Sequence, residues 1–147
     1  MNVIMNKILW GIFILSLNLL IGCSKTSETP LTREQLVVKT LTGLGNKIWM
    51  LTSISENNVA QILRPNQINY SKTYTGSTTE TLSGTTVDSD KCSGKWELNG
   101  PIRLIEISNK ISGPSSQTYL INEISATTLN IEYTENYKTI RKVFKAN

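Results

Sequence analysis

The residue with the most definite chemical context in this chain is Cys23, which follows Leu20, Ile21 and Gly22. These residues end an N-terminal segment that has Lys7 near its start and a mainly apolar run after it. A basic start, a short apolar region and a small residue at the cleavage point are typical of a secretory signal. The alternative is an uncleaved anchor helix, for which the run is short, because a membrane span needs about 20 apolar residues.

The four residues that end in Cys23 resemble the lipobox of bacterial lipoproteins. The resemblance implies that residues 1–22 are removed as a signal peptide and that the Cys23 thiol carries a diacylglyceryl group through a thioether. Acyl chains such as palmitate would then hold the protein at a membrane, and stable anchoring needs more than one chain. Residues 23–31 would be the lipidated cysteine and a flexible tether, because Ser24–Pro30 is small and polar.

Catalytic and metal chemistry is restricted by the absence of histidine from all 147 residues. This absence excludes Ser-His-Asp and Cys-His catalysis and metal sites with histidine ligands. With Cys23 lipidated, Cys92 is the only other thiol beyond the signal, so neither a cysteine-ligated metal site nor an intrachain disulfide can form. The sequence therefore predicts no cofactor, no metal and no enzymatic activity.

Acidic residues offer two weaker candidates for chemistry. Asp88-Ser89-Asp90 could supply oxygen ligands, but it lacks the further acids of a calcium loop and is interpreted as a polar turn whose Asp side chains bond the backbone. Four glutamates lie within predicted strands, where a facing pair could do acid–base work. Alternation more simply places them on the solvent face of the sheet. These glutamates are Glu97, Glu106, Glu123 and Glu132.

The charge of the chain indicates which kinds of partner it has. The formal net charge is +4, and the cations are scattered, which predicts no nucleic-acid partner.

Thr32 and Gln35 form a capping-box pattern ahead of apolar residues at helical spacing, which predicts a short helix over residues 32–42. That helix is expected to cover one end of the structure that follows.

From Lys47 onward the apolar residues alternate, and turn residues separate the alternating runs. Short strands with tight connections predict an antiparallel sheet, either a sandwich or an up-and-down barrel. The Gly- and Thr-rich segment Thr75–Lys91 is predicted to hold a weak strand at Thr79–Leu82 and to act as a mobile cover. The other predicted strands are Lys47–Ser55, Val59–Leu63, residues 68–75, Gly94–Leu98, Ile102–Ser108, Gln117–Ile124, Thr128–Tyr133 and Thr139–Lys145.

Several strand motifs resemble the lipocalin-like lipoprotein domains that are common in Bacteroidota. They include Trp49–Ser53, Tyr70–Thr75, Asp88–Asp90 ahead of Gly94–Leu98, and Leu129–Tyr133. The resemblance implies an all-β domain over residues 32–147: a small antiparallel up-and-down barrel or half-barrel of about eight strands, preceded by a short N-terminal helix. It implies no catalytic residue.

Aromatic residues recur in the predicted strands and have two interpretations. They could line a cavity for a small apolar ligand, or they could form the core itself. The residues concerned are Trp49, Tyr70, Tyr74, Trp96, Tyr119, Tyr133 and Phe144.

Three functions from different classes follow as expectations. The first is a lipid-anchored, non-catalytic envelope lipoprotein that binds a small apolar ligand. The second is an interaction lipoprotein with a solid core that docks on an envelope protein. The third, the least favoured, is an enzyme that uses carboxylates or tyrosines. Ser24 and Lys25 are not acidic, which by resemblance to known sorting rules favours the outer membrane and leaves the leaflet open.

Overall fold

A computed structural model describes most of the chain beyond its N-terminal segment. Within the described part, Leu31–Asn147 forms one compact unit. No helix found there is long and apolar enough to cross a membrane. The predicted signal peptide and Cys23 lie outside the described residues, which are 29–43, 45, 47–76, 82–90, 92–110 and 113–147.

Helix α1, Arg33–Thr42, begins at the predicted capping box. The hydroxyl of Thr32 accepts a hydrogen bond from the backbone N–H of Gln35, and the Gln35 side chain accepts one from the backbone N–H of Thr32. Two N–H groups that a helix start leaves without partners are thereby satisfied. Leu41 is fully buried, and its carbonyl accepts a 2.8 Å hydrogen bond from the indole Nε1 of Trp49. The helix therefore packs over one end of the strands that follow, as predicted.

The strands form a closed barrel. Eight of the nine strands in the described residues pair antiparallel in the order β1-β3-β4-β5-β6-β7-β8-β9, and β9 pairs back with β1. The short strand β2 pairs only with the end of β1. The predicted all-β barrel is confirmed, in its closed form rather than as a half-barrel. The strands are β1 Ile48–Glu56, β2 Val59–Gln61, β3 Ser71–Gly76, β4 Ser83–Asp88, β5 Ser93–Leu98, β6 Arg103–Lys110, β7 Gly113–Ile124, β8 Thr128–Glu135 and β9 Lys138–Ala146.

The position of β4 corrects the sequence analysis. The predicted mobile cover over Thr75–Lys91 is wrong for the stretch that forms β4. The predicted weak strand at Thr79–Leu82 lies outside the described residues except for Leu82. Strand β4 contains three consecutive β-branched residues, a composition that suits a pleated surface despite its polarity. Its Gly84 is required by close packing, because a Cβ there would lie 1.9 Å from the carbonyl oxygen of Thr75.

The interior is apolar at the end beneath α1. Tyr74 and Trp96 meet there edge to face, with ring centroids 6.2 Å apart. A register shift between β1 and β9 at Leu51 and Ser53 lets both Leu51 and Ile54 face the interior, which simple alternation would not allow. The buried apolar residues are Val37, Val38, Leu41, Trp49, Leu51, Tyr74, Trp96, Leu98, Leu104, Tyr119, Ile121, Leu129, Ile131 and Phe144.

Candidate functional site

A cavity of about 430 Å³ occupies the end of the barrel away from α1. The orientation follows from β3: Tyr70, just before this strand, lines the cavity, and Gly76 at the other end of the strand lies beside Thr42 of the helix. Leu51 and Ile54 give the cavity an apolar wall, but most of its lining is polar. The charged side chains that line it are Lys72, Asp88, Asp90, Glu106, Glu135 and Lys142.

The connection between β2 and β3 lies at the cavity mouth. Asn66 and Gln67 of this connection line the cavity. The segment is held in a turn, because the N–H of Arg64 donates to the Gln67 side chain at 2.9 Å and the N–H of Gln67 donates to the Arg64 carbonyl at 2.8 Å. Turn residues of the mouth thus come from this connection as well as from the Asp88–Asp90 turn, which lies within the Thr75–Lys91 segment.

Glu106 is the most deeply buried charged residue of the cavity wall, at 2 % exposure. One carboxylate oxygen accepts a hydrogen bond from the ammonium group of Lys72, and the other accepts one from the hydroxyl of Tyr74. Lys72 is itself 8 % exposed. Burying an ion pair is tolerated only where further hydrogen bonds satisfy the remaining polar atoms, and Tyr74 provides such a bond here.

The inward position of Glu106 contradicts the prediction that all four strand glutamates face solvent. On β6, the inward-facing row contains Leu104 in the core and Glu106 and Ser108 at the cavity, whereas Ile107 is 38 % exposed. Apolar residues therefore stand on both faces of this strand, and the alternation alone does not reveal which face is inside. The prediction holds for Glu97 and Glu123, which are exposed, and Glu132 forms a 2.9 Å ion pair with Arg141.

Asp88 forms a second polar cluster at the mouth. Its Oδ2 accepts a 3.2 Å hydrogen bond from the hydroxyl of Tyr70, and its Oδ1 accepts a 3.0 Å bond from the backbone N–H of Cys92. The predicted polar turn at Asp88–Asp90 is confirmed, since the Asp88 side chain accepts a hydrogen bond from the backbone of Cys92, just before β5. Cys92 is a half-buried free thiol that lines the cavity.

Burial keeps the tyrosine hydroxyls of this region protonated. The pKa of Tyr70 is raised mainly by burial and further by the negative charge of Asp88. Burial, followed by the charge of Glu106, raises the pKa of both Tyr74 and Tyr119. The pKa of Tyr133 is raised by burial and by Glu135. Because an ordinary tyrosine already titrates near pH 10, these side chains are hydrogen-bond donors at neutral pH.

Two tyrosine rings of the cavity wall already bind ammonium groups. Tyr119 and Tyr133 pack edge to face with centroids 5.4 Å apart. The ammonium nitrogen of Lys72 lies 5.7 Å from the Tyr119 centroid, and that of Lys142 lies 5.2 Å from the Tyr133 centroid. Both distances are within the range of a cation–π interaction.

The seven aromatic candidates divide between the two interpretations made from the sequence. Tyr70, Tyr119 and Tyr133 line the cavity, although Tyr119 is also part of the core. Sequence reasoning named Asp88, Asp90 and Glu106 only as weaker candidates. It did not identify Lys72, Glu135 or Lys142, although Lys72 lies in the same alternating row as Tyr70 and Tyr74. The remaining candidates belong to the buried core: Trp49, Tyr74, Trp96 and Phe144.

Metal chemistry has no cluster to support it in the part of the chain described here. No group of three Asp, Glu, Cys or His side chains within it converges closely enough to hold a metal ion.

Comparison of the chain with protein-family models, with curated proteins and with solved structures found no match.

Proposed function

We propose that this protein is a lipid-anchored, non-catalytic lipoprotein of the bacterial cell envelope that holds a small ligand in the open end of its barrel. The cavity carries this proposal. Its volume of about 430 Å³ falls within the range of roughly 300–1,000 Å³ that is usual for small-molecule sites. A closed barrel of eight strands is also a scaffold whose interior can hold one small ligand.

The polarity of the cavity lining changes the kind of ligand that is expected, which from the sequence was a small apolar molecule. Leu51, Ile54 and the rings of Tyr119 and Tyr133 offer apolar contact, while most other lining groups are polar. An entirely apolar ligand would remove those polar groups from water without replacing their hydrogen bonds, which is unfavourable. The ligand favoured by this lining therefore has an apolar body and at least one polar group.

A binding role explains the cavity better than catalysis does. Both carboxylate oxygens of Glu106 are already engaged by Lys72 and Tyr74, so this residue is not poised to accept a proton from a substrate. The docking alternative assumed a solid core, and the cavity argues against that assumption. The anchor and the outer-membrane location rest on the Cys23 motif and on the residues that follow it.

Filling the cavity should abolish ligand binding. Gln117 of β7 lines the cavity, and the adjacent Thr118 is exposed on the other face of the strand. We expect native mass spectrometry of the full chain, purified from envelopes in mild detergent, to detect a co-purifying small molecule. Gln117→Trp should lose this adduct, and Thr118→Trp should retain it.

A different result would contradict the cavity proposal. If neither the native protein nor the Thr118→Trp variant carries an adduct, and organic extraction releases nothing, the interior is not a ligand site. The docking alternative would then take its place, and cross-linking in intact envelopes would be the measurement that follows.

Replacing Cys23 should remove the lipid anchor. The two cysteines beyond the signal provide a matched pair, since Cys92 lies in the barrel and Cys23 follows the lipobox-like residues. We expect Cys23→Ser to lose metabolic labelling by a fatty-acid analogue and to leave an unprocessed or soluble protein. Cys92→Ser should be labelled like the native protein, and equal labelling of both variants would contradict the anchor.

A further inference from the structure

The cavity wall is acidic although the chain as a whole is basic. Of the charged side chains that line it in the described part of the chain, four are carboxylates and two are ammonium groups. The cavity therefore has an excess of two negative charges, whereas the formal charge of the whole chain is +4. A concave surface of one sign with low-dielectric walls concentrates the electric field and attracts ligands of the opposite sign.

The acidic excess is located at the mouth, because the deeper pair is already neutralised. Glu106 is matched by Lys72. Within the described part of the chain, neither Asp88 nor Asp90 nor Glu135 takes part in an ion pair. Both hydrogen bonds given to Asp88 come from neutral donors, the Tyr70 hydroxyl and a backbone N–H, so they leave its negative charge uncompensated.

A buried hydroxyl provides a second, independent observation. Thr86 is 5 % exposed, and its Oγ1 has no hydrogen-bond partner within the described structure. It lies two residues before Asp88 on β4, hence on the same inward face and one step deeper, and it is the register partner of Tyr74. A buried polar atom without a partner requires an explanation, and a ligand N–H reaching this row would supply one.

The tyrosine rings add a third element of recognition. The positions of Lys72 and Lys142 above Tyr119 and Tyr133 demonstrate that ammonium groups are accommodated over these ring faces. A tyrosine face is a favourable partner for a desolvated cation, and recognition of organic ammonium ions often uses such rings.

We infer that the ligand of this cavity is an organic cation, namely an ammonium group on an apolar body. An ammonium group has only donors, which matches the acceptor-only carboxylates at the mouth. The Thr86 hydroxyl, one step deeper than the lining residues, can accept a hydrogen bond as well as donate one. An anion would meet the uncompensated carboxylates. A bare metal ion would need three convergent ligands, which the described residues do not provide. This inference rests on the proposed function, because it assigns the chemistry of the same cavity.

The test compares three probes of similar size that differ in charge: 3-phenylpropan-1-amine, 3-phenylpropan-1-ol and 3-phenylpropanoate. Each is titrated calorimetrically into the full chain reconstituted in lipid nanodiscs, with empty nanodiscs as the blank. We expect the amine to bind at least about tenfold more tightly than the alcohol, as one well-placed charge interaction allows. The carboxylate should bind most weakly, and added salt should weaken only the amine.

Charge-removing variants connect the preference to the cavity. Asp88→Asn and Glu135→Gln should each weaken amine binding by about threefold or more while changing alcohol binding by less than about twofold. Glu97→Gln removes the same charge from an exposed position outside the cavity lining and should leave both affinities unchanged. Glu135 is exposed, so its variant remains informative even if Asp88→Asn folds poorly.

The failures of the two proposals are distinguishable. Equal binding of the amine and the alcohol, or tightest binding of the carboxylate, would overturn the cation assignment and leave a ligand-binding cavity in place. Amine binding that responds equally to Glu97→Gln would also overturn it, because the charge of the cavity would then not be the cause. Absence of binding by all three probes would overturn both proposals.

Discussion

Replacing Glu106 with alanine should lower the free energy of unfolding by about 3–5 kcal/mol, because removing one partner leaves the other charge buried and uncompensated. Lys72 is the charge left behind, at 8 % exposure, and its carboxylate partner is 2 % exposed. Tyr74 would lose the acceptor of its hydroxyl at the same time. Urea-induced unfolding, followed by circular dichroism at neutral pH, measures the effect.

A double-mutant cycle separates the ion pair from simple loss of packing. Lys72→Met combined with Glu106→Leu replaces both charges by apolar groups of similar size, which is often close to neutral for a buried pair. We therefore expect the double variant to be at least about 2 kcal/mol more stable than Glu106→Leu alone. The two sites contact each other directly, so their effects should not add.

A surface ion pair provides the matched control for this cycle. Lys138 and Glu56 pair at 2.7 Å, but their side chains are 54 % and 35 % exposed. Lys138→Ala should cost less than about 1 kcal/mol, because exposed pairs are screened by water and salt. A loss of the same small size for Glu106→Ala would contradict burial of the Lys72–Glu106 pair.

The architecture could be predicted because alternation and turn residues suffice to define short antiparallel strands. The helix is an even clearer case, since the Thr32 and Gln35 capping pair precedes apolar residues at helical spacing and the structure begins α1 there. Closure of the barrel was not predictable from these patterns. It depends on the pairing of β1 with β9, which are distant in sequence and carry no local signal for each other.

The charged lining could not be predicted because it violates the rule used to find strands. A strand with an apolar interior face alternates clearly, but the inward row of β3 contains Lys72 and that of β6 contains Glu106. At the cavity end both faces of the strands are therefore partly polar, and the threonines of β4 predict a cover where the structure has a strand. Departures from the strand pattern are expected at sites that bind ligands.

Trp96→Ala should be as damaging as the loss of Glu106, for a different physical reason. The indole is 1 % exposed, packs edge to face on Tyr74, and donates a 3.0 Å hydrogen bond to the Thr75 carbonyl. Space for the ring is provided by Gly76 and Gly84, where a Cβ would lie 2.8 Å from indole atoms. Truncation of a buried tryptophan costs about 3–5 kcal/mol, since a cavity remains and apolar contacts are lost.

Trp49→Ala should cause a loss of similar size and should also release α1, because the Trp49 indole donates to the carbonyl of Leu41 in that helix. We expect hydrogen exchange at the amides of α1 to accelerate more in Trp49→Ala than in Trp96→Ala, with urea unfolding measuring the overall loss in both. Tyr137, which is fully exposed, is the control: Tyr137→Ala should change stability by no more than about 0.5 kcal/mol. A loss below about 1 kcal/mol for either tryptophan variant would place that side chain at the surface instead of in the barrel core.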